Sequence, residues 1–308
     1  MAEHRHFHTQ GEKRAIKPGY GIAPLTVGIV LNLGFVVIEG IYGLLANSMA
    51  LLADAGHNLG DALGLAIAWI AIALARGEPS QKYTYGLRRG TILAALANAM
   101  LLLVAVGALA FEAFRRLGEP AEIASATVMG VGAAGIAVNG ITAWLLAAGR
   151  KNDINLRAAF LHMVYDALVS LGVVVTGAIM WVSGWAWLDS AASLAIAAVI
   201  LAGTWSLLRD SVSMSLDAVP AEVKLSEVRS FIEQQPGVAS VHDLHVWPMS
   251  TTEIVLTCHC LMPGGHPGDE FLARIARELQ ERFNIGHVTL QIEIHEDIEC
   301  MLEPKHRV

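Results

Sequence analysis

The order of apolar and polar positions divides the chain into two parts of different character. Six long apolar runs, near 21–46, 50–75, 90–114, 124–148, 157–183 and 187–208, are separated by short connections that hold most of the Lys and Arg of this region. A helix needs roughly 20 residues, at about 1.5 Å each, to cross a hydrocarbon core of about 30 Å, so each run is long enough to span a bilayer. After Arg209 the runs stop. Residues 220–234 carry Val223, Leu225, Val228, Phe231 and Ile232 at helical spacing, and Pro236-Gly237 closes that segment. Val238–Trp247 and Glu253–Met262 have strand composition, Asp269–Asn284 reads as a helix, and His287–His295 alternates as a strand. The pattern predicts a membrane all-α domain of six helices over 21–210 and a small α+β domain over 211–308. A polar, histidine-containing tail over 1–20 precedes them.

Composition agrees and adds a direction. The 308 residues are 54% hydrophobic, and the mean hydropathy is +0.50. Eleven Lys and Arg (Arg5, Lys13, Arg14, Lys17, Arg76, Lys82, Arg88, Arg89, Arg150, Lys151 and Arg157) fall on one side of the predicted spans, against Arg115 and Arg116 on the other. By the positive-inside rule both termini are cytoplasmic, and an even number of spans, which puts both on one side, agrees with this. Trp181, Trp185 and Trp187 suit the outer interface. The net charge of −7 lies entirely after residue 217, where seven Lys and Arg meet fourteen Asp and Glu. An acidic soluble domain argues against a nucleic-acid partner and is compatible with cations. Three cysteines, all in that domain, do not form a disulfide framework and fit a reducing compartment.

Ionisable residues in the middle of apolar runs need a reason, because they are tolerated there when they pair, bind an ion or line a wet cavity. The second run holds Asp54, His57 and Asp61 on one helix face, and the fifth repeats the His-x-x-x-Asp spacing at His162 and Asp166. An offset of four stacks an imidazole above a carboxylate. Two such pairs offer two nitrogens and two oxygens, a set suited to tetrahedral Zn2+. Asp54 shares the face but is surplus to four ligands, which leaves it a helix-packing, access or proton-relay role. Asn32 and Glu39 share a face of the first run, and two readings stay open: they line the cation's route, or they hydrogen-bond between helices. Asn98 and Asn139 read as interhelical glue, and Gly130, Gly132 and Gly135 as sites of close helix approach. In the soluble part His242, His245, His259, Cys258, Cys260, His295, Asp297 and Cys300 lie on or beside predicted strands. Strand alternation puts the two thiols on the face opposite His259, and His245 reads as a core histidine.

The run Ser48-Met-Ala-Leu-Leu-Ala-Asp-Ala-Gly-His-Asn-Leu-Gly-Asp61 resembles the second-span signature of the cation diffusion facilitator family, in its zinc-transporting bacterial branch. The similarity extends through Asn32 to Glu39, Tyr85-Gly-Leu-Arg-Arg89, Asn155 to Asp166, Trp187-Leu-Asp189 and Val241-His-Asp-Leu-His-Val-Trp247. It implies a homodimer with six spans per subunit, a ferredoxin-like cytoplasmic domain, and exchange of cytoplasmic metal for external protons. It also implies a transport site at His57, Asp61, His162 and Asp166, and a regulatory metal site at His242, His259, His295 and Asp297. An ion pair between Arg89 and Asp217 that braces the subunits is implied as well, beside the alternative that Arg89 is only a topogenic charge. Two departures stand out. The second connection, Glu78-Pro-Ser-Gln-Lys-Tyr83, lacks the histidine that some members carry, and Thr91 stands where a Glu is common.

The function expected from these features is efflux of Zn2+, with Cd2+, Co2+ and Ni2+ as further candidates, across the inner membrane and driven by protons. Zn2+ would be both substrate and regulatory ligand. An intramembrane zinc hydrolase, with Asp54 as acid or base, and a non-transporting metal receptor are the alternatives. The first is disfavoured because four protein ligands fill the open position that catalytic zinc needs.

Overall fold

The computed structural model describes residues 22–118, 122–147 and 154–295. Their order is α1 (Ile22–Leu45), α2 (Met49–Ala75), α3 (Gly90–Gly118), α4 (Ser125–Ala147), α5 (Ile154–Ser183), α6 (Trp187–Ser215), α7 (Leu225–Glu233), β1 (Ser240–Pro248), β2 (Ile254–Leu261), α8 (Asp269–Phe283) and β3 (Ile285–Glu293). Among the described residues α2 to α6 contain apolar stretches long enough to cross a membrane, and α1 contributes the shorter apolar stretch Val30–Leu45. The protein is a multi-pass membrane protein with a small soluble domain. The described residues fall into two compact units, one within 1–59 and 105–199 and the other within 60–104 and 200–308.

In the first unit α4 packs closely against α5, and small residues explain how. A Cβ on Gly132 would lie 2.8 Å from Val174 Cγ2, and one on Gly135 would lie 2.8 Å from Ser170 Oγ, so neither position has room for a side chain. Gly130 faces open space. The start of α2 is fixed by a residue far along the chain. Ser48 Oγ accepts the Leu51 N–H at 3.2 Å as an N-cap and donates to Asp189 Oδ1. Asp189 Oδ2 in turn accepts the N–H groups of Met49 and Ala50. Asp189 itself sits in the first turn of α6, so one buried carboxylate serves the positive ends of two helices. Trp185 and Trp187 stack at 6.4 Å between ring centroids, at the turn between α5 and α6.

In the second unit the α–β–β–α–β order builds a three-stranded sheet, β1-β2-β3. β1 runs antiparallel to β2, and β3 returns parallel to β2 after the crossover through α8. Its core includes Val228 and Ile232 of α7, Leu256 of β2, Ile275 and Leu279 of α8, and Ile285, all essentially inaccessible to solvent. Cys258 and Cys260 point into the same core with their sulfurs 3.7 Å apart. The Cys260 thiol and burial together push the Cys258 thiol far above its ordinary range.

Several expected boundaries shift for local reasons. α6 continues seven residues past 208 to Ser215, because a helix needs no apolarity to continue; Ser215 Oγ bonds back to Ser211 O at 2.8 Å. It ends where Asp217 adopts a left-handed φ of 58°. α7 starts at Leu225 and not at Pro220, since residues 220–223 form a turn closed by Val223 N–H to Pro220 O, and Lys224 is extended. β3 begins at Ile285 and ends at Glu293, which leaves His295 beyond the strand.

The α2–α3 connection and the β1–β2 turn belong to the same unit and touch. Arg88 Nη1 donates to Glu253 Oε2 at 2.7 Å. Thr91 Oγ1 accepts the Thr251 N–H at 3.1 Å and donates to Arg88 O at 2.9 Å. Tyr85 meets His287 edge to face, with ring centroids 5.6 Å apart. Arg89 and Asp217 form an ion pair.

Candidate metal centres

On α2, Asp54, His57 and Asp61 occupy successive turns of one face. On α5 the same holds for His162, Asp166 and Ser170. The rings of His57 and His162 meet edge to face with centroids 6.4 Å apart. His162 Nε2 lies 3.6 Å from Asp166 Oδ2, one turn along its own helix. Asp166 is buried, whereas the His162 side chain is 44% exposed. Two imidazoles from different helices thus converge, each with a carboxylate one turn further along its own helix.

Polar groups line the same region. Ser170 Oγ donates to Asp54 Oδ2 at 3.2 Å, which ties α2 to α5 one turn from Asp166. Asp54 is therefore an interhelical acceptor, in line with a packing role. Glu39 of α1 is fully buried, with the side chains of Asp54 and Asn58 of α2 beside its carboxyl group. Asn32 donates to Gly28 O at 3.1 Å and approaches Met163 Sδ at 3.3 Å, so its amide is engaged within α1 and toward α5. Asn139 departs from expectation: it is fully buried but makes no hydrogen bond among the described residues, so it does not act as polar glue.

The soluble domain holds the tighter cluster. His242 of β1 and His259 of β2 stand directly opposite in the antiparallel register, with ring centroids 5.2 Å apart. Glu293, the last residue of β3, reaches both: its Oε2 lies 3.1 Å from His242 Nε2 and its Oε1 lies 2.9 Å from His259 Nδ1. One ligand atom from each of the three residues lies within 4.8 Å of the others, the only such group among the described residues. His242 Nε2 is buried and has the Glu293 carboxylate as its near neighbour, on the side where the other two candidate ligand atoms gather. Two imidazoles and a carboxylate fit Zn2+ with a position left open.

This cluster differs from the expected ligand set. His295 is exposed beyond the end of β3 and does not join the group, and Asp297 and Cys300 lie outside the described residues. Glu293 takes the third place. It shares a strand face with Gln291 and His295 by two-residue alternation, which is the one signal in the sequence that pointed to it. His245 is no core histidine: its side chain is 63% exposed, and Nε2 sits 2.9 Å from Asp243 Oδ1. The thiols of Cys258 and Cys260 point into the core while His259 faces Glu293, as alternation requires.

Long apolar helices with paired imidazoles and carboxylates, joined to a C-terminal α+β domain whose His242, His259 and Glu293 could hold an ion, form an arrangement suited to a membrane protein that handles metal cations. The profile described as the cation efflux transmembrane domain matches residues 25–214, and that of the cation efflux protein cytoplasmic domain matches residues 220–295. The chain belongs to the cation efflux family, also called the cation diffusion facilitators. It is 32% identical over 295 residues to a cadmium, cobalt and zinc/H(+)-K(+) antiporter of Bacillus velezensis, covering 94% of this chain and 91% of the relative. It is 36% identical over 294 residues to the metal cation efflux system protein CzcD of Cupriavidus metallidurans, covering 95% and 90%. It is 33% identical over 292 residues to the zinc transporter ZitB of Escherichia coli, covering 94% and 92%. All three of these relatives are named as metal-cation transporters.

Proposed function

We propose that this chain exports Zn2+ from the cytoplasm in exchange for protons, as a homodimer in the inner membrane with both termini cytoplasmic. His57, Asp61, His162 and Asp166 are assigned as the transport ligands. The observation that carries this reading is the approach of the His57 and His162 rings from two apolar helices, each with a carboxylate one turn away. Zn2+ requires imidazole lone pairs and ionised carboxylates, so loading the site releases protons. Imidazole ordinarily titrates near neutral pH, and its reprotonation from the outside lowers affinity for the metal there. Competition between Zn2+ and protons for one set of atoms then couples the two fluxes. Alternating exposure of the site to the two sides completes the cycle.

The cytoplasmic cluster of His242, His259 and Glu293 is assigned as a regulatory Zn2+ site. The zinc-named relatives, and a family profile for a cytoplasmic domain over residues 220–295, support these assignments. Proteoliposomes containing the purified protein test the reading. A pH gradient should drive Zn2+ flux that is abolished in Asp61→Ala and Asp166→Ala. Wild-type vesicles that bind Zn2+ but move none would favour a receptor instead, and cleavage of a lipid or peptide bond would favour a hydrolase. Competition with Cd2+, Co2+ and Ni2+ in the same vesicles ranks the substrates.

A further inference from the structure

Beside the cytoplasmic cluster lies a carboxylate that no ligand assignment uses. Along a regular strand consecutive side chains point to opposite faces, so His242 and Asp243 should diverge. They do not. The β1–β2 register shifts between His242 and His245, and Asp243 adopts φ 48°, a left-handed conformation uncommon for a residue other than glycine. The result is that both residues meet His259. The His242 ring packs against its ring at 5.2 Å, and Asp243 Oδ2 lies 3.5 Å from its Nε2. The other Asp243 oxygen is 2.9 Å from His245 Nε2. One carboxylate thus faces two imidazoles, one nearly buried and one at the surface.

The geometry points to Asp243 as the positioning residue of the cytoplasmic metal site, and this rests on the assignment of that site above. The nitrogen of His259 that faces Glu293 is Nδ1, at 2.9 Å. To ligate an ion between His242 and Glu293, Nδ1 must present its lone pair, and the proton of the neutral ring then resides on Nε2. Asp243 Oδ2 is the acceptor set to receive it. The bond fixes the tautomer, holds the ring plane toward His242 and Glu293, and makes Nδ1 the better donor to the metal. At 3.5 Å this contact is longer than an ordinary hydrogen bond, so the assignment requires the two atoms to close by a few tenths of an ångström when the site is loaded. The left-handed backbone at Asp243 is the distortion that places its carboxylate on the ligand face.

The test uses the full chain in detergent, with Asp61→Ala and Asp166→Ala silencing the transport site. Zn2+ is titrated at fixed pH against a competing chromophoric chelator, and Co2+ absorption reports coordination geometry. Asp243→Asn tolerates the left-handed backbone and keeps the side-chain size, and it should weaken Zn2+ by about 10–100-fold while tetrahedral Co2+ bands persist. Asp243→Gly should weaken Zn2+ to the same degree although it relieves the backbone. Affinity within about threefold of the parent in both variants would reduce Asp243 to a turn residue and overturn the proposal. Loss of the tetrahedral bands in Asp243→Asn would make Asp243 a ligand and overturn it equally. A parent that binds no Zn2+ would remove the metal site itself, a failure distinct from either.

Discussion

Removing the Asp189 carboxylate should loosen the end of α2 without touching a metal ligand. Asp189 is 1% exposed and accepts hydrogen bonds from Ser48 Oγ, Met49 N–H and Ala50 N–H. In Asp189→Ala the serine hydroxyl can rotate to another acceptor, but the two main-chain donors are fixed by the helix and lose theirs. Each orphaned buried donor costs roughly 1–3 kcal/mol, so the variant should lose about 2–6 kcal/mol. At roughly 2–4 °C per kcal/mol, a scale taken from soluble domains, that corresponds to a drop in Tm of about 4–24 °C. Asp189→Asn keeps one acceptor oxygen and should fall between Ala and wild type. The assay is thermal unfolding in detergent, followed by loss of the monodisperse peak on size exclusion, together with Zn2+ flux measured well below the lower Tm. Because Asp189 holds α2 at its end, two turns before His57, flux at low temperature should stay near that of the wild type. An Ala variant as stable as wild type, or an Asn variant less stable than Ala, would refute the capping argument. A flux defect at full stability would instead place Asp189 on the transport path.

Three further outcomes follow from the same structure. Gly135→Val should destabilise the α4–α5 contact by about 1–3 kcal/mol through overpacking, since its Cβ alone would meet Ser170 Oγ at 2.8 Å, whereas Gly130→Ala should be tolerated; thermal unfolding in detergent separates them. Cys258 should resist alkylation by iodoacetamide near pH 8 in the folded protein and react once the domain is unfolded in denaturant, because its thiol is held far above the ordinary range; mass spectrometry of the labelled peptide reads this out. A double-mutant cycle on Arg88→Ala and Glu253→Ala should return a coupling of no more than about 1 kcal/mol that shrinks with added salt, because both side chains are more than 40% exposed.

What could be read in advance followed the range of the forces involved. Spans α2 to α5 were legible to within a few residues because the bilayer imposes a local rule: a stretch must be apolar over a fixed length. The far end of α6 escaped that rule, since Arg209, Asp210, Ser211, Ser213 and Ser215 are polar yet helical. The His-x-x-x-Asp pairs were legible because helix geometry alone puts both residues on one face. Glu293 was not, because the residue of β3 that reaches His242 depends on how β3 aligns beside β2, where Leu261 pairs with Glu293 and His259 with Gln291. That register is set across a helical crossover; two-residue alternation puts Glu293 on the face of Gln291 and His295 but does not say which of the three reaches His242. Asp243 was invisible for a related reason: strict alternation sends it away from His242, and only the bulge brings it back.

Thr91 shows how a departure in sequence is absorbed in structure. A Glu at that position would offer a carboxylate to a partner, and its absence raises the question of what ties the α2–α3 connection to the chain beyond it. The carboxylate is supplied from the other side. Glu253, at the turn between β1 and β2, pairs with Arg88, and Thr91 accepts a main-chain N–H from Thr251 in the same turn. Ser250 Oγ closes that turn by accepting the N–H groups of Thr252 and Glu253, at 3.2 and 3.0 Å, so the groups that meet Arg88 and Thr91 are held in place before the contact forms. A neutral hydroxyl and a main-chain donor replace part of an ion pair, which makes the contact less dependent on salt than two charges would be. β1 and β2, the strands this turn joins, also carry His242 and His259. His242 and His259, and the residues that receive the α2–α3 connection, are therefore at opposite ends of one hairpin.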